Sequence, residues 1–259
     1  MIRIMIKVER VVIWFSAGVT SAIAAKVAVD KYRSLYPCHL VNTDTGSEDD
    51  DNLRFMHDVS TWLDLPLEII RNEKYEDTFA VYDASGFMAN QYGAKCTTEL
   101  KKKPRLKYQN LATDLQVFGY DASEQKRADR FGQNNPEVTA WFPLIEQGIT
   151  KSECRQMLMD AGIAEPLTYS LGFKNANCLK RGCVKGGMGY WNHIRKVRPE
   201  VFWSMAKKER ELNYAINSVE KREDGKRIKI PVFLDELDPD AGNYEAEPVF
   251  QCGLFCGIN

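Results

Sequence analysis

The chain has 259 residues, a formal charge of −1 and 44% hydrophobic residues, enough to bury a sizeable core in one large α/β domain with an appendage. The near-neutral charge excludes a uniformly basic nucleic-acid coat, although it is compatible with local basic patches. Seven cysteines, an odd number, in a chain too large to need disulfide staples point to a reducing, cytoplasmic setting where clustered thiols serve metal or redox chemistry.

Residues 11–29 carry a single charge, Lys26, and superficially imitate a signal peptide or a membrane span. Ser16, Gly18, Thr20 and Ser21 interrupt the apolar run where a bilayer core tolerates them least, so no membrane association is expected. Val11 to Phe15 instead reads as a β-branched and aromatic strand, Ser16-Ala17-Gly18-Val19-Thr20-Ser21 as a small-residue turn, and Ala22 to Lys26 as the start of a helix. A strand feeding such a turn at a helix N-terminus is suited to a phosphate, because backbone N–H groups and the helix dipole both favour an anion.

Cys38 to Asn42 predicts a second strand, and Thr43-Asp44-Thr45-Gly46-Ser47 is turn chemistry at its end. Ser47 is placed to cap a helix whose first turn holds Glu48 to Asp51, with Leu53, Met56, Val59, Ser60 and Leu63 as its buried stripe. Pro66 to Ile70 predicts a third strand. Two successive strand-helix-strand crossovers imply a doubly wound parallel sheet of the Rossmann type. In such sheets ligands bind beyond the carboxyl ends of the strands, so the Ser16 and Asp44 loops should share one crevice.

Several segments are similar to the phosphoadenosine phosphosulfate (PAPS) reductase family of the adenine nucleotide alpha hydrolase, or PP-loop, superfamily. The Ser16 to Ser21 turn resembles the S-x-G-x-x-S pyrophosphate loop, and Asn42-Thr43-Asp44-Thr45-Gly46 resembles the D-T-G of the second strand. Gly119-Tyr120-Asp121-Ala122-Ser123-Glu124 with Arg127 is similar to the family's G-x-x-x-x-E-x-x-R segment, with slightly different spacing. Trp141 to Leu144 and Glu165 to Phe173 resemble its P-L and P-L-Y-x-x-G stretches. The resemblance implies an adenine nucleotide, ATP or an adenylyl-sulfate, bound by Ser16, Ala17, Gly18, Val19, Thr20, Ser21, Asp44, Thr45, Gly46, Gly119 and Arg127. One position departs: many pyrophosphatase relatives carry Asp where this chain has Thr20, which weakens an ATP-cleaving role while leaving backbone cradling of phosphate intact.

The cysteines form a second constellation. Cys178 and Cys183 bracket a glycine-bearing loop, Cys252 and Cys256 lie near the C-terminus, and Cys96 follows Gly93-Ala94-Lys95. Converging thiolates suit iron or zinc, since the metal stabilises each soft sulfur anion. Cys38 and Cys154, on a strand and an amphipathic helix, read as small buried hydrophobes. Iron-sulfur members of the resembled family hold a [4Fe-4S] cluster with two cysteine groups about eighty positions apart, and Cys96 and Cys178 are 82 positions apart. That correspondence implies Cys96, Cys178 and Cys183 as ligands, with Cys256 or Cys252 as the fourth and zinc as the alternative metal. The family's tandem Cys-Cys is here Cys96-Thr97, and its C-x-x-C is widened to four intervening residues.

Gln251-Cys252-Gly253-Leu254-Phe255 resembles the E-C-G-L-H terminus whose cysteine attacks sulfonate sulfur in PAPS reductases, without that motif's Glu and His. Cys252 is therefore a candidate nucleophile. Lys185 and Arg181, interleaved with the cysteines and glycines, are candidate catalytic cations for an anionic sulfur substrate. Lys95, Lys101, Lys102, Lys103, Arg105 and Lys107 form a further basic run that reads mainly as a solvated face. Tyr190 and Trp191, after Gly186-Gly187-Met188-Gly189, suit either base stacking or a core.

Val201 to Val219 predicts an amphipathic helix ending in the charged turn Lys221 to Lys226, and Ile228 to Phe233 a short strand or lead-in. The acidic stretch Asp235 to Glu247, broken by Pro239 and Gly242, reads as a mobile connector to the tail. The organisation expected is a nucleotide-binding α/β domain over 1–198 and a helical, irregular cysteine-bearing extension over 199–259. The functions expected are an adenine-nucleotide-dependent sulfur enzyme of the reductase type, with an electron donor such as thioredoxin as partner, or an ATP-dependent sulfur transferase acting on nucleic acid. A catalytically silent nucleotide- or nucleic-acid-binding protein with a metal staple is the reading from another class.

Overall fold

A computed structural model describes residues 7–90, 93–176, 178–223 and 226–249. In chain order the elements are β1 (Arg10–Trp14), α1 (Val19–Tyr32), β2 (Cys38–Thr43), α2 (Asp50–Leu63), β3 (Leu67–Ile70), α3 (Thr78–Ser85), β4 (Ala89–Asn90) and β5 (Gly93–Ala94). A π-helical turn (Thr97–Lys102) leads into α4 (Lys103–Tyr108), followed by β6 (Asp114–Phe118), α5 (Gln125–Asn134), β7 (Ala140–Trp141), α6 (Pro143–Glu146), α7 (Lys151–Asp160) and α8 (Leu167–Ser170). The chain continues through α9 (Met188–Val197), α10 (Pro199–Leu212), β8 (Asn217–Glu223) and β9 (Lys226–Val232).

These elements fall into two compact units that interleave in sequence. The first comprises 1–44, 50–71 and 103–176; the second comprises 45–49, 72–102 and 177–259. The first unit is built on a parallel five-stranded sheet ordered β3-β2-β1-β6-β7. Every pair in it is parallel, as the predicted crossovers require. Val11, Ile13 and Phe15 face one side and pack with Ala22, Ile23, Ala25 and Ala28 of α1, Phe55 and Val59 of α2, and Leu158 of α7. On the other side Trp14 donates to Gln116 Oε1 at 3.0 Å and meets Tyr108 of α4 edge-on. Both faces are thus covered, and the fold is a doubly wound α/β sheet.

Two local expectations change in this unit. α2 begins at Asp50 rather than directly after Ser47. Its buried stripe is Asn52, Phe55, Met56, Val59 and Leu63, while Leu53 is 45% exposed; rotation of the helix about its Met56–Leu63 line moves Leu53 to the flank.

In the second unit α10 stops at Leu212, where Asn213 adopts a left-handed cap with φ of 47°. Residues predicted to continue that helix form β8 instead, paired antiparallel to β9 from Asn217↔Val232 to Glu223↔Lys226. Asp224-Gly225 is the hairpin signal that outweighs helical propensity here. The Glu209 carboxylate of α10 accepts from the Ile216 and Leu234 backbone N–H groups at 2.6 Å each, and burial pushes its acid up to about 7. The acidic stretch after Leu234 is not a loose connector over its described part. Asn192 donates to the Asp238 and Ala241 carbonyls, Arg195 to those of Leu234 and Leu237, and Glu247 accepts from Gly189 and Tyr190 N–H at the start of α9. No helix among the described residues is long and apolar enough to cross a membrane.

Candidate functional site

In the first unit the Ser16 to Ser21 turn emerges from the carboxyl end of β1, where β2 lies on one side and β6 on the other. This is the switch point of the sheet, the location at which open α/β folds bind ligands. Ala17 takes a left-handed φ of 58°, which reverses the chain sharply enough for α1 to begin at Val19. The turn is held by Ser21, only 3% exposed. Its hydroxyl donates to the Gly18 carbonyl at 2.8 Å and receives the N–H groups of Gly18 and Ser16 at 3.2 and 3.3 Å. Ser21 is therefore the internal brace of the turn, whereas Ser16 is exposed at its lip and donates to Ser21 Oγ at 3.3 Å.

Gly119, just past β6, lies directly behind this brace. A Cβ there would stand 2.4 Å from Ser21 Cα, so glycine is the only residue that lets the two backbones approach. Gly18 is under no such pressure, since a Cβ would meet the Tyr169 hydroxyl at 3.6 Å. Tyr169 itself is pushed up to about 12 by burial, with its phenol oxygen set against the backbone N–H groups of Val19 and Ala176. The segment bearing it is bolted down: Leu167 N–H donates to Asp51 at 2.6 Å, Arg54 to the Ala164 and Glu165 carbonyls, and Arg155 to Glu165. Sequence reasoning missed Tyr169, although the P-L-Y-x-x-G stretch that carries it was legible.

The second-strand loop begins beside the first. Phe15 N–H donates to the Val41 carbonyl and Asp44 N–H to that of Ile70, while Asn42 Nδ2 donates to the Phe15 carbonyl at 2.8 Å. Adjacent parallel strands therefore bring the Ser16 turn and Asp44 to one edge, with Arg71 3.7 Å from the Asp44 carboxylate. Arg127 donates to Glu124 at 2.6 Å and stacks on Tyr120 at 3.9 Å, at the turn entering α5.

Thr45 and Gly46 belong to the second unit. Gly46 has φ of +64°, and a Cβ there would sit 1.9 Å from the Glu76 carbonyl oxygen. Ser47 does not cap α2; it is fully buried, receives Thr78 N–H at 3.0 Å and bonds the Thr78 hydroxyl, tying this loop to α3. Thr45 Oγ1 lies 3.4 Å from Cys178 Sγ, and Lys180 N–H donates to the Ser47 carbonyl. Within this unit the Thr45 to Ser47 segment and the cysteine loop are thus joined side by side.

Tyr82 of α3 lies beside Cys96. Its hydroxyl donates to Cys96 Sγ at 3.3 Å, and burial first, then Cys96, Cys183 and Cys178, push the phenol well above its ordinary range. The loop between Cys178 and Cys183 rests on two buried aromatics. A Cβ at Gly182 would meet the Trp191 ring at 2.2 Å and one at Gly186 the Tyr190 ring at 1.9 Å, and the Tyr190 hydroxyl receives Cys183 N–H at 3.1 Å. Tyr190 and Trp191 have no exposed surface, so they form the floor of the loop and do not stack a base. No three His, Cys, Asp or Glu side chains among the described residues are grouped to hold a single metal ion.

Of the candidate catalytic cations, Arg181 is held by Asp77 through Nε and Nη2, both at 2.8 Å, over the Phe79 ring at 4.7 Å. Lys185 is half-buried within the same loop region. Lys101 is buried with Glu48 at 3.6 Å, so that member of the basic run is not a solvated charge. Cys252 and Cys256 lie outside the described residues. Cys154 is fully buried in the first unit's core, its thiol pushed up to about 12 by burial, and burial also raises Cys38.

No protein-family model matches the chain, and no curated protein matches it. Among solved structures it is similar to phosphoadenylyl-sulfate (PAPS) reductase from Candida auris in its phosphate complex, with 13% identity, a TM-score of 0.48, and coverage of 64% of this chain and 80% of that one. It is also similar to the U34-tRNA thiolase of Methanococcus maripaludis with its [4Fe-4S] cluster, with 13% identity, a TM-score of 0.45, and coverage of 98% and 84%. The fold assignment itself rests on the strand order and register above.

Proposed function

We propose that this protein is an adenine-nucleotide-dependent enzyme of sulfur metabolism, resembling the PAPS reductase family. The observation that carries the reading is the braced Ser16 to Ser21 turn at the sheet's switch point, with Asp44 on the neighbouring strand end and Gly119 behind it. The turn would hold the nucleotide's phosphates through backbone N–H groups at the start of α1, with Ser16 at the lip and Thr20 in the first helical turn. Arg71 and Asp44 would set the polarity of the adjoining strand end.

Cys96, Cys178 and Cys183, with Cys252 or Cys256 as a fourth donor, would hold a [4Fe-4S] cluster. The 82-position interval between Cys96 and Cys178, similar to the two-group spacing of the resembled family's iron-sulfur members, supports a cluster over zinc. When bound, the cluster would supply redox or sulfur-carrying chemistry. Tyr82 would donate a hydrogen bond to the Cys96 sulfur, and Lys185 and Arg181 would favour an anionic sulfur substrate, Arg181 kept in place by Asp77. In the reductase form the Cys252 thiolate would attack the sulfur of an adenylyl-sulfate, breaking its S–O bond and expelling the nucleotide phosphate; a dithiol donor such as thioredoxin would then release sulfite from the resulting Cys252 S-sulfonate and become a disulfide.

Gln251 and Phe255, where the reductase terminus has Glu and His, favour a second form, in which ATP would adenylate an oxygen of a nucleic acid with release of pyrophosphate, and sulfur carried at the cysteine site would then displace AMP. The two forms differ in products. Anaerobically purified protein is incubated with adenylyl-sulfate or PAPS and a dithiol, and separately with ATP and a nucleic-acid acceptor. Sulfite release supports the first form and AMP or pyrophosphate release the second. Neither product, together with no thermal shift from any of the three nucleotides, sinks the nucleotide reading. A colourless, iron-free and sulfide-free protein sinks the cluster.

A further inference from the structure

The β8–β9 ribbon is exposed along nearly its whole length. Two-stranded ribbons are marginal in water by themselves, yet both feet of this one are pinned by the buried Glu209 carboxylate. The register sorts its side chains onto two faces. One carries Ser218, Glu220 and Arg222 opposite Pro231, Lys229 and Arg227, and it sets Arg222 directly across from Arg227. Like charges so placed destabilise an antiparallel pair. Glu220 reaches Arg227 at 3.7 Å, while among the described residues Arg222 and Lys229 have no carboxylate partner. This face therefore keeps an excess of cations that pairing within the ribbon does not explain.

We propose that this face of the β8–β9 ribbon is a docking surface for duplex DNA, bound through its backbone phosphates by Arg222, Arg227 and Lys229. A two-stranded ribbon fits the major groove of B-DNA, and seven residues per strand reach about 23 Å at ~3.3 Å per residue. Residues 217–232 include no Phe, Tyr or Trp, so the ribbon lacks the stacking platform of a single-strand binder. The narrow major groove of A-form RNA does not admit such an element. The assignment rests on the ribbon alone and is independent of the nucleotide and cluster readings.

The test is fluorescence anisotropy of a labelled mixed-sequence DNA duplex with the full chain across a salt series. Replacing Arg222, Arg227 and Lys229 together by Ala is expected to weaken binding at least tenfold and to flatten the slope of log K against log salt by about 2 to 3. A charge-matched control, Lys126, Arg130 and Lys207 to Ala, is expected to leave both unchanged. Arg222→Glu separates docking from folding: it places opposite charges across the register, which stabilises the ribbon, yet it is expected to weaken DNA binding. The proposal is overturned if wild-type protein shows no saturable duplex binding, if the triple variant or Arg222→Glu binds as wild type does, or if the control loses as much as the triple variant. It is also overturned if single-stranded DNA or RNA binds more tightly than the DNA duplex, or if the triple substitution instead dissolves a dimer in sedimentation.

Discussion

The phosphate-type turn of the first unit and the cysteine loop of the second both depend on glycine, but for different reasons. At the turn, Gly119 lets one backbone touch another, with Ser21 Cα 2.4 Å from where a Cβ would lie. In the cysteine loop, Gly182 and Gly186 make room for the rings of Trp191 and Tyr190. Backbone cannot yield without moving a strand and a helix, whereas a ring can shift at the cost of its packing. The comparison teaches that the turn is braced from within by a serine five residues away, while the loop takes its shape from distant aromatics.

The sharpest way to break the contrast is Gly119→Ala. A collision between backbones is expected to destabilise the protein by about 3–5 kcal/mol, read as a collapse of the melting temperature or loss of soluble expression; a drop of only a degree or two would refute the close approach. Gly182→Ala combines a positive φ with a collision against Trp191, and about 2–3 kcal/mol is expected, with a red shift of tryptophan emission as the floor opens. Ser21→Ala leaves the Gly18 and Ser16 N–H groups without their acceptor, for about 1–3 kcal/mol. It should also reduce the thermal shift given by ATP or adenylyl-sulfate. An undiminished nucleotide shift would show that the brace does not shape the binding turn.

Tyr82→Phe removes the hydrogen bond to Cys96 alone. The expected stability loss is about 1 kcal/mol, and in iron-loaded protein a changed midpoint potential is expected, measured by spectroscopic redox titration. An unchanged potential would mean that Tyr82 is a packing residue. Gly18→Ala should have the smallest effect, under about 1 kcal/mol, because its Cβ would make ordinary contact; a larger loss would transfer the steric demand from Gly119 to the turn itself.

Much of the first unit was legible because its signals are local. The Val11 to Phe15 strand, the Ser16 to Ser21 turn and the Asp44 turn each occupy a few consecutive residues, and alternation of strands and helices dictates parallel pairing. The edge shared by Ser16 and Asp44 followed from that rule alone. Less was legible in the second unit. Nothing in the spacing of Cys96, Cys178 and Cys183 announces Tyr82, and the Arg181–Asp77 pair joins residues 104 positions apart. The hairpin after α10 did have a local signal, Asp224-Gly225, which helical periodicity overshadowed. The strap after Leu234 read as a connector because its fixing groups, Asn192, Arg195 and the α9 N-terminus, lie in an earlier helix.

By itself the sequence determined the parallel α/β sheet, the position of the Ser16 to Ser21 turn within it and the pairing of cysteines into groups, because periodicity, glycine placement and residue chemistry act over short stretches. Tertiary structure alone decided that Ser21 is a brace, that Tyr190 and Trp191 are a floor beneath the cysteine loop, and that Tyr82 donates to the Cys96 sulfur. Those outcomes depend on which side chains occupy the same small volume after long segments of chain have closed, and close packing, unlike periodicity, leaves no trace in the order of residues.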